Sequence, residues 1–358
     1  MNLAQVSLPF VKRLPPELAH ALTLSGLKSG LAGPRQDPSR WQTSITLKKS
    51  GLKLFNPVGL AAGFDKNAEV GAVLTKMGFG FVECGTVTPK PQSGNPKPRV
   101  FRLPQERAVI NRLGFNNKGL STVAENLKSQ TQRANGPIGA NVGANKDSAD
   151  FVADYELGLQ SVLPIVDYVT MNISSPNTPG LRDLHARDAL KDLLSRTEAV
   201  WSASKAQKPV FLKLAPDLDG DAITAITDEL AASGTWLAGL IISNTTVSRP
   251  HGLRGGFAQE AGGLSGRPLA ALSLEMLQHF AAEFSDTFDL IACGGVDSGE
   301  AAYQRIRAGA QAIQLYTALT YRGLDLIADI NSDLRLRLSR DGFQTVADAV
   351  GVDLPSSR

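Results

Sequence analysis

The stretch MNISSPNTPGLR, residues 171–182, sets Ser174, Ser175, Asn177 and Thr178 directly after an apolar run, with no charge before Arg182. A loop that only connects elements is usually polar and often charged; this one is a cluster of small, uncharged hydrogen-bonding groups. Ser175 is its candidate reactive side chain. A serine nucleophile needs a base held beside it, and the chain has four histidines. His20 lies in the N-terminal segment and His279 in a helical pattern, so only His185 and His251, both in predicted loops, could complete a serine–histidine triad. The other groups able to do chemistry are the amides of Asn141, Asn172, Asn177 and Asn244 and the ammonium groups of Lys66 and Lys213.

Eight apolar runs must position them: PVGLAAG (57–63), FGFVECGT (79–86), PIGANVG (137–143), DYVTMNIS (167–174), PVFLKLAP (209–216), AGLIISNT (238–245), DLIACGGV (289–296) and AIQLYTAL (312–319). Helical patterns follow most of them, as in AEVGAVLTKMG (68–78) and AITAITDELAASG (222–234). Strand-then-helix repetition predicts an α/β fold with a parallel sheet, and eight repeats predict closure into a (β/α)8 TIM barrel. An open doubly wound sheet is the alternative, but GLAAGFDK lacks the GxGxxG expected there. The carboxy ends of the runs carry, in order, Lys66, Thr86, Asn141, Asn172 with Ser175, Lys213, Ser243 with Asn244 and Thr245, Gly294–Gly295, and Tyr316–Thr317. Any one of these could be a helix N-cap. All eight together predict a ligand-binding ring. Residues 98–115 read as an inserted β-hairpin turning at Pro104–Glu106, and 247–269 as a glycine-rich stretch without helical period; both are placed to roof the mouth.

The glycine pair in ACGGVDSGEAAYQRIRAGA (292–310), followed by a helix opened by Asp297 or Ser298, predicts a phosphate site, completed by Tyr316 and Thr317. No ligand cluster for a metal accompanies the ring. Its asparagine amides suit the imide edge of a flavin or a pyrimidine, and its lysines suit an anion. A net charge of +3 over 358 residues gives no nucleic-acid footprint, and 42% hydrophobic residues allow a large core. Cys84 and Cys293 sit in apolar runs as expected free thiols. The first forty residues differ from the rest. Five basic residues (Lys12, Arg13, Lys28, Arg35, Arg40) face two acidic ones, and Pro15–Pro16 should open a helix, with a second short segment after a break at Gly26. This part reads either as a cap on the domain or as an amphipathic hairpin on a membrane surface.

In this order, GLAAGFDKNAE, GTVTPKPQSGNPKPRVFRL, NRLGFNN, NVGANK, NISSPNTPGLR, KLAPD, SNTT, GGLSGRPL and GGVDSG closely resemble the class 2, quinone-dependent dihydroorotate dehydrogenases. The resemblance runs from PELAH to LYTAL. It implies a flavoprotein oxidoreductase of pyrimidine biosynthesis that oxidises dihydroorotate to orotate with FMN and passes electrons to ubiquinone or menaquinone. It implies two parts, a helical membrane and quinone-tunnel segment over 1–40 and a catalytic barrel over 41–358. FMN would be held by Ala62, Gly63, Lys66, Thr86, Asn141, Asn172, Lys213, Ser243, Gly266, Gly295, Tyr316 and Thr317. Dihydroorotate would meet Lys66, Asn111, Arg112, Leu113, Gly114, Phe115, Asn172, Asn177, Asn244 and Thr245. Ser175 aligns with the catalytic base, where class 1 relatives carry cysteine, and Thr178 would relay its proton. Arg102 and Tyr316 would stand at the inner end of the tunnel, although Arg102 could instead form a surface salt bridge. Ser243 stands where many class 2 members have threonine, which keeps the hydroxyl. The expected setting is a monomer, peripheral to the cytoplasmic side of a bacterial inner membrane. A class 1 enzyme, an aldolase with Lys213 as the Schiff base, and a non-catalytic membrane-surface protein are the rival readings.

Overall fold

A computed structural model describes residues 9–30, 43–250 and 252–355 of the chain. Among the described residues, thirteen strands carry the sheets. β1 (Ile45–Thr46) and β2 (Lys53–Leu54) form a small antiparallel hairpin; β3 (Val58–Leu60), β4 (Phe81–Val87), β7 (Ile138–Val142), β8 (Tyr168–Asn172), β9 (Val210–Leu214), β10 (Gly239–Ile242), β12 (Asp289–Cys293) and β13 (Ala312–Leu315) close into one parallel barrel. β5 (Val100–Leu103), β6 (Ala108–Asn111) and β11 (Gly263–Gly266) form a separate antiparallel sheet. Seven of the eight barrel strands fall inside their apolar runs, and β4 passes the end of its own by one residue, to Val87. Their residues are buried on both faces, inside the barrel and under the helical ring, which is why the runs are continuous rather than alternating.

The interior is filled in layers by the two-residue strand period. At the bottom, Phe81, Tyr168 and Phe211 meet edge to face, with ring centroids 6.2 and 5.6 Å apart. Glycines on neighbouring strands make room for them. A Cβ on Gly59 would lie 2.3 Å from Phe81, and one on Gly139 would lie 2.2 Å from Tyr168. Below this layer, the turn of the β1–β2 hairpin is held by the Asp289 carboxylate, which accepts from the Lys49 and Ser50 N–H groups at 2.9 and 2.8 Å.

Three features differ from the sequence expectation. The N-terminal helix does not break at Gly26 but runs from Pro16 to Lys28, because packing Ala19 and Leu27 against the barrel outweighs the roughly 1 kcal/mol cost of a helical glycine. Residues 31–40, which carry the end of the expected second segment with Arg35 and Arg40, lie outside the described residues, as do residues 1–8. The glycine-rich 247–269 stretch contains β11, whose pairing with β6 extends the expected hairpin to three strands. The β1–β2 hairpin was not foreseen either, since two-residue strands leave no periodic pattern. Among the described residues, no helix is long and apolar enough to cross a membrane.

Candidate active site

Above the aromatic layer lies a buried carboxylate. Glu83 accepts from Asn141 Nδ2 at 2.8 Å, Thr170 Oγ1 at 2.9 Å, Gln314 Nε2 at 2.9 Å and Tyr168 OH at 3.5 Å. It thereby joins β4, β7, β8 and β13 and turns the Asn141 amide so that its oxygen faces upward. That oxygen accepts from Thr86 Oγ1 at 2.5 Å and Asn172 Nδ2 at 3.2 Å. Thr86 can reach it because the β4–β7 register shifts between Gly85 and Val87, which brings an otherwise outward residue inside. Asn172 Oδ1 in turn accepts from Ser174 Oγ at 2.8 Å and Asn244 Nδ2 at 3.3 Å, and Asn244 also donates to Ser174 Oγ at 3.0 Å.

This polar layer floors a cavity of about 620 Å³ at the carboxy end of the barrel. Ala62, Gly63, Lys66, Thr86, Asn172, Lys213, Ser243, Gly266, Gly295, Tyr316 and Thr317 line it, with Asn111, Leu113, Gly114, Phe115, Ser175, Asn177, Asn244, Thr245 and Arg102. Three of the expected residues are off the wall. Asn141 lies beneath it. Thr178 is 3% exposed, and its hydroxyl has no partner among the described residues. The Arg112 side chain turns outward to Glu260 at 2.6 Å and the Pro98 carbonyl at 3.0 Å and stacks 4.6 Å from the Phe101 ring centroid. The backbone of its turn still faces the cavity, pinned by Asn95 donating to the Arg112 carbonyl and Gln92 to those of Gly114 and Phe115.

The two lysines sit differently. Lys66 Nζ donates to the Gly63 carbonyl at 2.7 Å; burial, helped by the charge of Arg99, pulls its pKa down to about 8. Lys213 is 4% exposed, has no carboxylate partner among the described residues, and lies 4.0 Å from the Cys293 sulfur. Ser175 is 5% exposed, and its oxygen accepts from the Asn177 N–H at 3.3 Å. His185 is no base for it. Its ring nitrogens are taken by the Arg182 carbonyl at 2.9 Å and the Ala215 N–H at 3.4 Å, and burial pushes its pKa down to about 4. His251 lies outside the described residues.

Sequence reasoning gave no role to several groups that shape the site. Glu83 was hidden inside an apolar run, where a lone acid should have signalled a buried partner set. Ser174 bridges two asparagines. Arg182 ties three loops together, donating to the Ser174 carbonyl at 3.1 Å, to Asp217 at 2.9 Å and to the Thr245 carbonyl at 3.1 Å. Burial alone would raise the Asp217 carboxyl, but hydrogen bonds from Thr246 and Val247, with Arg182 beside it, hold it below its ordinary value. On the other side, His20 on the N-terminal helix packs 5.2 Å from Phe64, which packs 5.5 Å from Tyr316. Burial, with Lys66 nearby, pushes His20 down to about 3, so it faces the cavity neutral. Arg102 forms no ion pair among the described residues; it donates to the carbonyls of Lys12 and Leu14 at 3.0 and 2.8 Å.

A closed (β/α)8 barrel with amides, hydroxyls and two lysines converging on one large cavity at its carboxy-terminal mouth is an enzyme of the barrel class. The sequence profile of the dihydroorotate dehydrogenase family matches residues 44–338. A "dihydroorotate dehydrogenase (quinone)" of Parvibaculum lavamentivorans is 47% identical over 354 residues, covering 99% of both chains. One of Rhodopseudomonas palustris is 48% identical over 98% of this chain and 96% of its own. Among solved structures, DHODH from Eimeria tenella in complex with ferulenol superposes with a TM-score of 0.88 at 39% identity, covering 94% of this chain and 95% of that one. The chain belongs to the dihydroorotate dehydrogenase family. That membership sets aside the aldolase reading of Lys213.

Replacing the central carboxylate tests the polar layer directly. Glu83→Gln turns an amide N–H₂ toward groups that all donate, and should lower unfolding stability by about 2–3 kcal/mol in a denaturant titration. Unchanged stability would mean that the four donors find other acceptors.

Proposed function

We propose that the protein oxidises (S)-dihydroorotate to orotate with FMN as the first electron acceptor and a membrane quinone as the last, a step of pyrimidine biosynthesis. Dihydroorotate dehydrogenase activity with a quinone acceptor follows from family membership and from the shared name of relatives that match the chain from end to end. Members of the family are flavoproteins. The observation that carries the flavin reading is the Lys213 ammonium, buried at the cavity without a carboxylate partner among the described residues. A buried cation needs an anionic or strongly accepting neighbour, which a flavin ring provides. Gln314, whose Oε1 lacks a partner among the described residues, lies on the same wall.

FMN, when bound, supplies a two-electron acceptor that can hand electrons on to a quinone. Ala62, Gly63, Lys66, Thr86, Asn172, Lys213 and Ser243 would hold its ring, with Asn141 acting from below, and Gly266, Gly295, Tyr316 and Thr317 its phosphate. The amides of Asn111, Asn172, Asn177 and Asn244, with Thr245 and the Arg112–Phe115 backbone turn, would fix the carbonyls and ring nitrogens of dihydroorotate, and Lys66 its carboxylate. Oxidation removes a hydride from C6 and a proton from C5. Ser175 would take the proton and pass it toward the unpartnered Thr178 hydroxyl. A serine hydroxyl is a poor base, so the surrounding donors must acidify C5 by stabilising charge on the ring. An uncharged loop suits this site, because a carboxylate beside an anionic substrate would oppose both binding and charge development.

The N-terminal helix would form the quinone entrance. Its His20, Leu22, Thr23 and Leu27 wall the cavity, which continues inward to Tyr316 and Arg102. Phe10 and Leu18, which do not line the cavity, are 67% and 48% exposed, an apolar surface suited to resting on lipid. The proposed setting is a monomer on the cytoplasmic face of a bacterial inner membrane, drawing ubiquinone or menaquinone from it.

Ser175→Ala should slow dihydroorotate-dependent flavin reduction by about 10²–10⁴-fold while flavin stays bound, with Ser175→Cys partly active; near-wild-type reduction in stopped flow would remove Ser175 from the mechanism. Below pH 8 Lys66 is charged and above it the free enzyme loses that charge. The KM for the anionic substrate should therefore climb above about pH 8, by up to about tenfold per pH unit, and a Lys66→Met variant should show a raised, flat profile instead. Deleting residues 1–40 should spare flavin reduction and abolish turnover with long-chain quinones, and unchanged quinone turnover would refute the entrance.

A further inference from the structure

Arg305, on the helix Gly299–Arg307, is 2% exposed and takes no part in the site described above. Its guanidinium donates to the Gly294 carbonyl at 2.8 Å, the Ser273 hydroxyl at 3.1 Å, and the carbonyls of Ala270 and Ala301 at 3.2 and 3.0 Å. Nε has no partner, and no carboxylate pairs with the group among the described residues. Asp297 is near enough to act on its charge, but that carboxylate already lies 3.9 Å from Arg107 and 4.0 Å from Arg267. Three guanidinium groups thus share one carboxylate around the Gly294–Gly295 turn. A buried cation without a full counter-ion is costly, and burial accordingly draws the Arg305 pKa down to about 10.

The turn lies between Arg305 and the cavity, since Gly294 and Gly295 line the cavity and Arg305 does not. In a trans peptide the carbonyl and the following N–H point in opposite directions. Holding the Gly294 carbonyl toward Arg305 therefore aims the Gly295 N–H the other way, to the cavity side. Positive φ angles of 107° and 69°, and a Cβ clash with Ala270 at 2.4 Å for Gly295, keep both positions glycine.

We infer that Arg305 is the buried counter-charge for the terminal phosphate of the flavin, acting across the Gly294–Gly295 turn as a positioning residue, and that it makes the site select a phosphorylated flavin over an unphosphorylated one. The inference rests on the FMN reading above. Full-length holoproteins equilibrated with mixtures of FMN and riboflavin report the selectivity as the ratio of the two flavins bound. Arg305→Met should lower the FMN preference about tenfold or more, whereas Arg305→Lys, which keeps the charge, should stay within about threefold of wild type. Should Arg305→Met not fold, Arg305→Gln is read in the same way. An unchanged ratio in the neutral variant, with wild type preferring FMN, overturns the role of Arg305 alone. A wild-type protein without preference for FMN sinks the cofactor reading first, and this inference with it.

Discussion

One buried carboxylate organises the upper half of the barrel. Glu83 receives donors from the side chains of three other strands, and its partner Gln314 lies 231 residues away in sequence. Through Asn141 its influence passes to Thr86 and Asn172, and through Asn172 to Ser174 and Asn244, so the cavity floor is one connected network. Each donor left without an acceptor in such a place would cost about 1–3 kcal/mol, which makes the orientation of every amide in the floor depend on the others. The floor is thereby preorganised before any ligand arrives.

Charge is distributed around that floor by position. Lys66 and Lys213 stand at the cavity wall, Arg305 stands behind the glycine turn, and the roof loop from Ser174 to Gly180 has none. The roof is instead held from outside, where Arg182 and Asp217 bind the loops after β8, β9 and β10 to one another. This holds the Ser175 loop from outside, and among the described residues the Ser175 hydroxyl is bonded by the Asn177 N–H and by no carboxylate. The N-terminal helix closes the open side by the same economy. Glu17 pairs with the buried Arg99 at 2.9 Å, and Lys28 with Glu69 at 2.9 Å, one contact near each end of the helix, while its middle carries His20 to the aromatic contacts with Phe64 and Tyr316.

Much of this was legible in the residues. The barrel strands match the eight apolar runs to within one residue, the hairpin turns where Pro104–Glu106 predicts, and Ser298 caps the helix after the glycine pair, accepting from the Ala301 N–H at 3.2 Å. Most of the groups named at strand ends do converge on one cavity. Less legible were side chains whose backbone faces the site while the side chain does not: Arg112 looks like a ligand group in NRLGF but serves Glu260 and Phe101.

The order of strands and helices, the barrel class and the ring of polar strand ends were determined by the sequence alone, because burial on both faces, helix capping and glycine turns leave local marks a few residues long. Which partners meet across the barrel was decided only by closure. The convergence on Glu83, the inward swing of Thr86 at a register shift, the joining of β11 to β6 and the unpaired burial of Arg305 all depend on groups brought together from distant strands. No local pattern records such distances, since the physical reason for each contact is a partner supplied by the tertiary structure.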